Sequence, residues 1–436
     1  MSEHDTPADI ARVADWIDDL AEHEQATERL MALGPAALEP LAHYLRRGPQ
    51  SISQARVFAV RMLARLHDPR VPALLRGVLH DHPLHELPPH LAESEYRVKD
   101  AAIDALVRRQ DSALVEDVAF AVRSERLPAA VLAAGHLRMT SLVAVLAGLL
   151  TDDVLAAPAD AALTALQPES IPAVAECIRT WMDAAADTAR SRLGLVRGFS
   201  WLAAVGWQGD ADADLQQRGL RHASALVRAA AALTMHAPHT EAEIAALVHG
   251  VLGSDGLLAL ACRERLRDVG DPLFQPASKA LRDDAEPDVY GNLHPARTSA
   301  RRWVLLEILR QTAMDAERFA QVSACVSARE LAAALLRWDR PDAGILRHGL
   351  RHPEARVRSA AVAALGRTDA EDRVGWLAAL LGDADPAVRR QAYRALCRYV
   401  ATGRGRILRG NLPLAAWWHS PWRCARLLLP GHEPRE

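Results

Sequence analysis

Very little in this sequence can build a sheet, a disulfide scaffold or a membrane span. Aromatic residues make up only 5% of the 436 positions. Sustained period-2 alternation and Asn-Gly hairpin turns are both missing, which removes the usual strand signals. Cys177, Cys262, Cys325, Cys397 and Cys424 are odd in number, far apart and free of any C-x-x-C pair. That spacing excludes a disulfide framework or a zinc knuckle and favours a reducing compartment. No apolar run approaches the roughly 20 residues a bilayer span needs. The first ten residues, "MSEHDTPADI", are acidic and polar, unlike a secretory signal. A soluble, cytoplasmic protein is the expectation. Lysine is nearly absent as well: Lys99 and Lys279 are the only two, so arginine carries the positive charge.

The usual catalytic fingerprints are also missing. There is no G-x-S-x-G elbow, no Walker A loop and no H-E-x-x-H. "GRGRILRG" from Gly403 has neither a preceding strand nor the G-x-G-x-x-G spacing of a nucleotide fingerprint. No pair of side chains is placed by sequence into a nucleophile–base relation. The chain is therefore expected to be no enzyme and to carry no cofactor and no metal.

What is present is helix-forming material in a repeat. Half the residues are hydrophobic, and Ala, Leu and Arg recur throughout, residues that lose little side-chain freedom in a helix. "ARVRSAAVAALG" from Ala355 and "PAVRRQAYRALC" from Pro386 align without gaps at an offset of 31 residues, with Val357 answering Val388, Arg358 answering Arg389 and Leu365 answering Leu396. Between them "AEDRVGWLAALLGDAD" reads as a second helix stopped by Gly382. The unit is helix, turn, helix, turn. Looser copies are "SALVRAAAAL" from Ser224, "YRVKDAAIDAL" from Tyr96 and "QARVFAVRMLARL" from Gln54. Near the start, Gly34 and Pro35 divide "ATERLMALGPAALEPLAHYLRR" into two helices, as a helix stop and a first-turn residue should. Self-similarity at this period marks a solenoid.

These segments resemble HEAT repeats, specifically the short HEAT-like units also found in phycobilisome lyases. The likeness is clearest in "HPEARVRSAAVAALG" and "DADPAVRRQAYRAL", where an acidic residue or proline in the turn precedes a Val-Arg pair and an alanine-rich helix. The resemblance implies an all-α, HEAT-like α-solenoid of stacked antiparallel helix pairs. Alanines would let repeats approach closely, and an arginine at a fixed place would bridge to the acidic turn of a neighbour. The expected organisation is an N-terminal capping helix over 1–25, repeats over 26–400 and a capping segment over 401–436. The Val-Arg signature is absent between Leu127 and Trp207, although a helical pattern continues there.

Three HEAT-like enzyme families offer a comparison. Deoxyhypusine hydroxylase places His-Glu dipeptides at matching points of several repeats, whereas His23-Glu24, His85-Glu86 and His432-Glu433 sit at unrelated ones. Bilin lyases share the repeat, but no chromophore pocket is specified here. Alkylpurine DNA glycosylases combine an acidic residue with tryptophans in a basic groove. Trp201, Trp207 and Asp210 do lie near Arg190, Arg192 and Arg197 in sequence, with packing between helices as the competing role of the tryptophans.

Interruptions of the array are expected to emerge as loops on one face. The stretch at 80–94 clusters His80, His82, His85 and His90 beside Asp81 and Glu86, a ligand-like composition without ligand-like spacing. Asp210, Asp212 and Asp214 begin like a calcium loop, but Leu215 and Arg221 stand where Gly and Glu are required. The stretch at 282–297 surrounds Tyr290 with four carboxylates.

Charge is unevenly distributed. The chain is −3 overall, yet residues 343–436 hold sixteen Arg against eight carboxylates, a local +8 that leaves −11 for residues 1–342. The segment "RGNLPLAAWWHSPWRCARLLLPG" from Arg409 has three tryptophans and no carboxylate. Ser420-Pro421 suits a helix start and Pro430-Gly431 a stop, with Trp422, Ala425, Leu428 and Leu429 on one face. That describes a lid over the last repeat, and the outward arginines remain free to grip. The expected partner-binding residues are Arg404, Arg406, Arg409, Trp417, Trp418, Arg423, Arg426 and Tyr290. The expected function is a scaffold or adaptor for an unidentified protein partner. Nucleic acid held by the basic C-terminal quarter is the first alternative; a metal-dependent or lyase-type HEAT enzyme is the second.

Overall fold

The computed structural model describes residues 7–401 apart from 20, 22, 111–112, 185, 208–211, 236–239, 254, 283–294, 311, 313, 339–340 and 369–372. The chain forms two compact units that divide between Trp207 and Gln208. Among the described residues every regular element is helical, and no strand is present.

The first unit opens with α1 (Pro7–Asp18), α2 (His23–Leu33), α3 (Leu38–Leu45) and α4 (Ser53–Arg65). It continues with α5 (Val71–His80), α6 (Pro89–Arg109), α7 (Leu114–Phe120) and α8 (Pro128–His136). It closes with α9 (Val143–Gly148), α10 (Ala156–Ala165), α11 (Ser170–Asp183) and α12 (Ala189–Ala204). Helices α4, α6, α8 and α10 lie side by side in one layer, with α3 and α5 packed behind α4 and α6. The stretch from Leu127 that lacks the Val-Arg signature still folds into packed helices, with α8 on α10, α9 on α11 and α11 on α12.

The second unit contains α13 (Ala213–Leu220), α14 (Ala225–Leu233), α15 (Glu241–Leu252), α16 (Gly256–Leu266), α17 (Phe274–Arg282) and α18 (Pro295–Leu309). After these come α19 (Ala316–Ser323), α20 (Ala328–Arg337), α21 (Ala343–Leu350), α22 (Ala355–Leu365), α23 (Arg373–Ala379) and α24 (Pro386–Ala401). Its even-numbered helices again form one layer, in the order α14, α16, α18, α20, α22, α24.

Local chemistry sets the boundaries. Thr188, Thr240 and Ser327 close reciprocal capping boxes with Ser191, Glu243 and Glu330 at the starts of α12, α15 and α20. Asp212, Asp255, Asp315 and Asp342 cap α13, α16, α19 and α21 through a side-chain oxygen. Gly34 sits at φ +55°, a left-handed value that an L side chain rarely adopts, and breaks the chain between α2 and α3. Gly382 ends the short turn after α23. The repeat valines Val227, Val357 and Val388 are fully buried. Between α8 and α10 the backbones come so close that a Cβ on Gly135 would lie 2.7 Å from Ala162 Cα.

The Val-Arg pair now has a physical reason. Arg228 Nη1 donates to the carbonyls of His222 (2.9 Å) and Ala223 (2.7 Å). Arg358 Nη1 does the same to His352 (2.9 Å) and Pro353 (2.6 Å), and Arg389 Nη1 to Asp383 (2.7 Å) and Ala384 (2.9 Å). In each case the arginine closes the turn five and six residues before it. Arg358 also fulfils the expected bridge to a neighbouring turn, since its Nε and Nη2 each lie 2.8 Å from the two Asp383 oxygens.

A second set of arginines crosses between repeats. Arg109 Nη1 donates to Ala64 and Leu66 at the end of α4, at 3.0 Å each. Arg197 Nη1 reaches Leu150 and Asp152, also at 3.0 Å each. Arg265 reaches Leu233 at the end of α14, and Arg367 reaches Leu335 and Trp338 at the end of α20. Helix C-termini leave carbonyls without intrahelical partners, and these guanidinium groups supply the missing donors.

The Arg358 guanidinium hydrogen-bonded to Asp383 holds that carboxyl below the usual carboxylate range. A depressed folded-state pKa stabilises the fold above the ordinary carboxylate range, and that stability is lost as pH falls through the lowered value. Asp383→Asn is expected to cost about 1.5–3 kcal/mol in urea unfolding at pH 7, the range for a hydrogen bond to a charged group. The difference from wild type should shrink in strong acid, and a constant difference across that range would contradict the assignment.

Candidate partner-binding groove

The same helices that bury one side in the stack leave the other side open. Along α4, α6 and α8 that open side forms a groove of about 1000 Å³. Its apolar floor is made of small or short side chains, among them Val57, Ala64, Ala101, Ala105 and Ala129. Its charged lining is Arg61 and Arg65 from α4, and Arg97, Asp100, Asp104, Arg108 and Arg109 from α6.

Beneath the groove, buried ions join α4 to α6, and α6 to the turn that follows α7. Arg56 and Glu95 form a two-pronged pair at 2% and 0% side-chain exposure. One turn later on α6, Lys99 Nζ lies 3.2 Å from Glu125 Oε1, again with both groups buried. Glu125 is delivered by a π-helical turn, Ala121–Glu125, and its other oxygen accepts from the Leu84 backbone N–H at 3.3 Å. Removing one member of such a pair strands a buried charge, at a cost of about 3–5 kcal/mol. The pairs fix which faces of α4 and α6 turn inward, and so which turn outward into the groove.

Most of the groove's charges are already satisfied. Arg97 pairs with Glu93 at 2.9 Å, Arg108 with Asp104 at 2.7 Å, and Arg109 is committed to the carbonyls of α4. Asp100 accepts from the Ala129 backbone N–H at 2.8 Å, capping α8 from a neighbouring helix. Burial raises the Asp100 carboxyl above its ordinary value despite that bond. Burial and the nearby Asp100 push the Tyr96 hydroxyl up to about 12, so it is a neutral donor at physiological pH. Arg61 and Arg65 are exposed and have no ion-pair or hydrogen-bond partner among the described residues.

Arg404, Arg406, Arg409, Trp417, Trp418, Arg423, Arg426 and Tyr290 all lie outside the described residues. The proposed 80–94 loop is shorter than expected, because Pro89, with its fixed φ, occupies the first turn of α6 and draws His90 into that helix. His80 ends α5 beside Asp117 (3.6 Å) and packs on Phe120, while His85 faces Glu86 at 3.7 Å. No three His, Cys, Asp or Glu groups gather as a metal site among the described residues. Trp201 is buried at 3% exposure with its Nε1 donating to Thr164 Oγ1 at 3.1 Å, so it packs between helices. Arg197 is spent on carbonyls and on Asp153. Cys262 is buried, and its thiol is pushed up to about 12, far from a reactive thiolate.

One arginine of the groove lining had a sequence signal. In α4 the buried pattern runs Ala55-Arg56, not Arg56-Val57, which aligns Arg56 with Arg358 and Arg389. Nine residues beyond that position stand Arg65, Arg367 and Arg398, and Arg108 stands nine beyond Lys99. The register thus marks the position of Arg65 but not its freedom, since Arg367 at the same place is bonded to the Leu335 and Trp338 carbonyls.

Residues 328–404 match the family model of HEAT repeats, so α20 to α24 are HEAT-like in sequence as well as in packing. A solved structure of an engineered protein is 14% identical, covering 89% of this chain and 98% of its own, with a TM-score of 0.27. At that score the likeness adds nothing to the fold. No curated protein matches the chain.

Asp100 supplies a test of the groove's electrostatics. A carboxyl whose folded-state pKa is raised weakens the fold as pH rises through it. Asp100→Asn keeps an acceptor for Ala129 and removes the buried charge, so its thermal midpoint should equal or exceed wild type at pH 7. In acid, where Asp100 is itself protonated, the two should coincide. A lower midpoint at pH 7 would contradict this.

Proposed function

We propose that this protein is a scaffold or adaptor that binds another protein in the groove of α4, α6 and α8. The observation that carries the reading is the groove itself: three alternate helices, neighbours in one layer, line one open channel of about 1000 Å³ with a small-residue floor. Side chains of that kind let a partner approach the helices closely. No catalytic constellation lines it, and HEAT repeats commonly mediate protein–protein contact. The reading places the protein in the cytoplasm, where its widely spaced cysteines would stay reduced; no helix among the described residues is long and apolar enough to cross a membrane.

One observation favours nucleic acid as a second reading. Arg390, Arg394 and Arg398 form an exposed row on α24, one turn apart, with no ion-pair partner among the described residues. Arg404, Arg406, Arg409, Arg423 and Arg426 would extend this positive field, with Trp417 and Trp418 available for stacking and Tyr290 as a separate contact.

Capture from host lysate separates the two. Ala101→Trp fills the groove, and Leu132→Glu charges its rim. Each variant, once shown to melt cooperatively, is expected to lose the captured protein with or without nuclease treatment, while Arg394→Glu/Arg398→Glu retains it. Capture that survives both groove variants, or that disappears with nuclease and with the α24 substitutions, would overturn the scaffold reading in favour of nucleic acid.

A further inference from the structure

The groove's internal pairing leaves a residue of charge that points to its occupant. Arg97, Arg108 and Arg109 have partners within the fold, as do Asp100 and Asp104. Arg61 and Arg65 alone among the lining charges are unmatched by a described residue. They stand four residues apart on α4, which puts them on one face about 6 Å apart. We propose that the groove takes an acidic peptide segment of a partner protein, two of whose carboxylates pair with Arg61 and Arg65.

Three features support this occupant. Arginine presents a planar fork that matches a carboxylate in two-pronged geometry. Carboxylates four residues apart on a helix, or two apart on an extended strand, repeat at about 6–7 Å and meet both guanidinium groups at once. The groove's volume also suits a segment: a helical turn about 10 Å wide and 5.4 Å long fills roughly 400 Å³, so about 1000 Å³ accommodates some two turns. The alanine floor would take the apolar side of that segment, and the like charge of Arg61 and Arg65 would repel a basic one, while Asp100 and Asp104 are already engaged by the Ala129 N–H and Arg108. The proposal rests on the scaffold reading and specifies the chemistry of its partner.

The test is peptide display selected on the full chain, with affinities of the enriched peptides measured on wild type and on Arg61→Gln/Arg65→Gln. Both positions are exposed, so the double variant should keep the wild-type melting curve. Enriched peptides are expected to carry two Asp or Glu residues two to four positions apart. Their affinity should fall about tenfold or more on the double variant and weaken with added salt. Enrichment of peptides without acidic pairs, equal binding by the two proteins, or no enrichment would each overturn the proposal. So would a sixteen-nucleotide oligo-dT that binds more tightly than the peptides and depends on the same two arginines. If Ala101→Trp abolishes lysate capture while Arg61→Gln/Arg65→Gln does not, the groove keeps its partner and the acidic assignment falls.

Discussion

The structure depends on arginine side chains hydrogen-bonded to backbone carbonyls that short helices cannot satisfy themselves. Every α-helix ends with carbonyl oxygens that lack an intrahelical donor, and a stack of helices of 6–21 residues multiplies such ends. A guanidinium carries five N–H donors in a fixed plane and stays charged at any physiological pH, so one side chain serves two or three carbonyls. Arg228, Arg358 and Arg389 close their own turns. Arg109, Arg197, Arg265 and Arg367 reach across to the preceding repeat. Lysine, with a single ammonium, is a poorer substitute for this task, and only two lysines occur in the chain.

This arrangement also determines what remains for binding. Arginines that point along the stack are consumed by carbonyls, and Arg97 and Arg108 on α6 by carboxylates one turn away. Burial of Arg56, Glu95, Lys99 and Glu125 orients α4 and α6 so that their outer rows face the groove. The charge left at Arg61 and Arg65 without a partner among the described residues follows from that orientation. In the proposed reading, architecture and recognition are two uses of one residue type, separated by helical phase.

The helices, the repeat and the closing role of glycine and proline could be read from the residues because they are local. The buried valines, the stop at Gly34 and the helix starting at Ala355 each depend on a few neighbours in sequence. The Arg358–Asp383 bridge was foreseeable from the turn-then-Val-Arg pattern. The groove was not, since Arg65, Asp104 and Ala129 come from three helices separated by loops of different length. Whether an arginine is spent or free depends on a carbonyl or carboxylate up to 47 residues away, as with Arg197 and Leu150. Trp201 shows the same limit: packing between helices is the favoured expectation for it, but its partner, Thr164 on α10, lies 37 residues away and could not be read from its neighbours.

The most direct measurement is the unfolding free energy of Arg109→Lys in urea at pH 7. The substitution keeps the positive charge and most of the side-chain length but removes the planar fork that spans Ala64 and Leu66. If arginine–carbonyl bonding holds neighbouring repeats together, the variant should lose about 1–3 kcal/mol, the cost of leaving partly buried acceptors unpaired. A variant with wild-type midpoint and slope would contradict the account, because charge alone would then suffice.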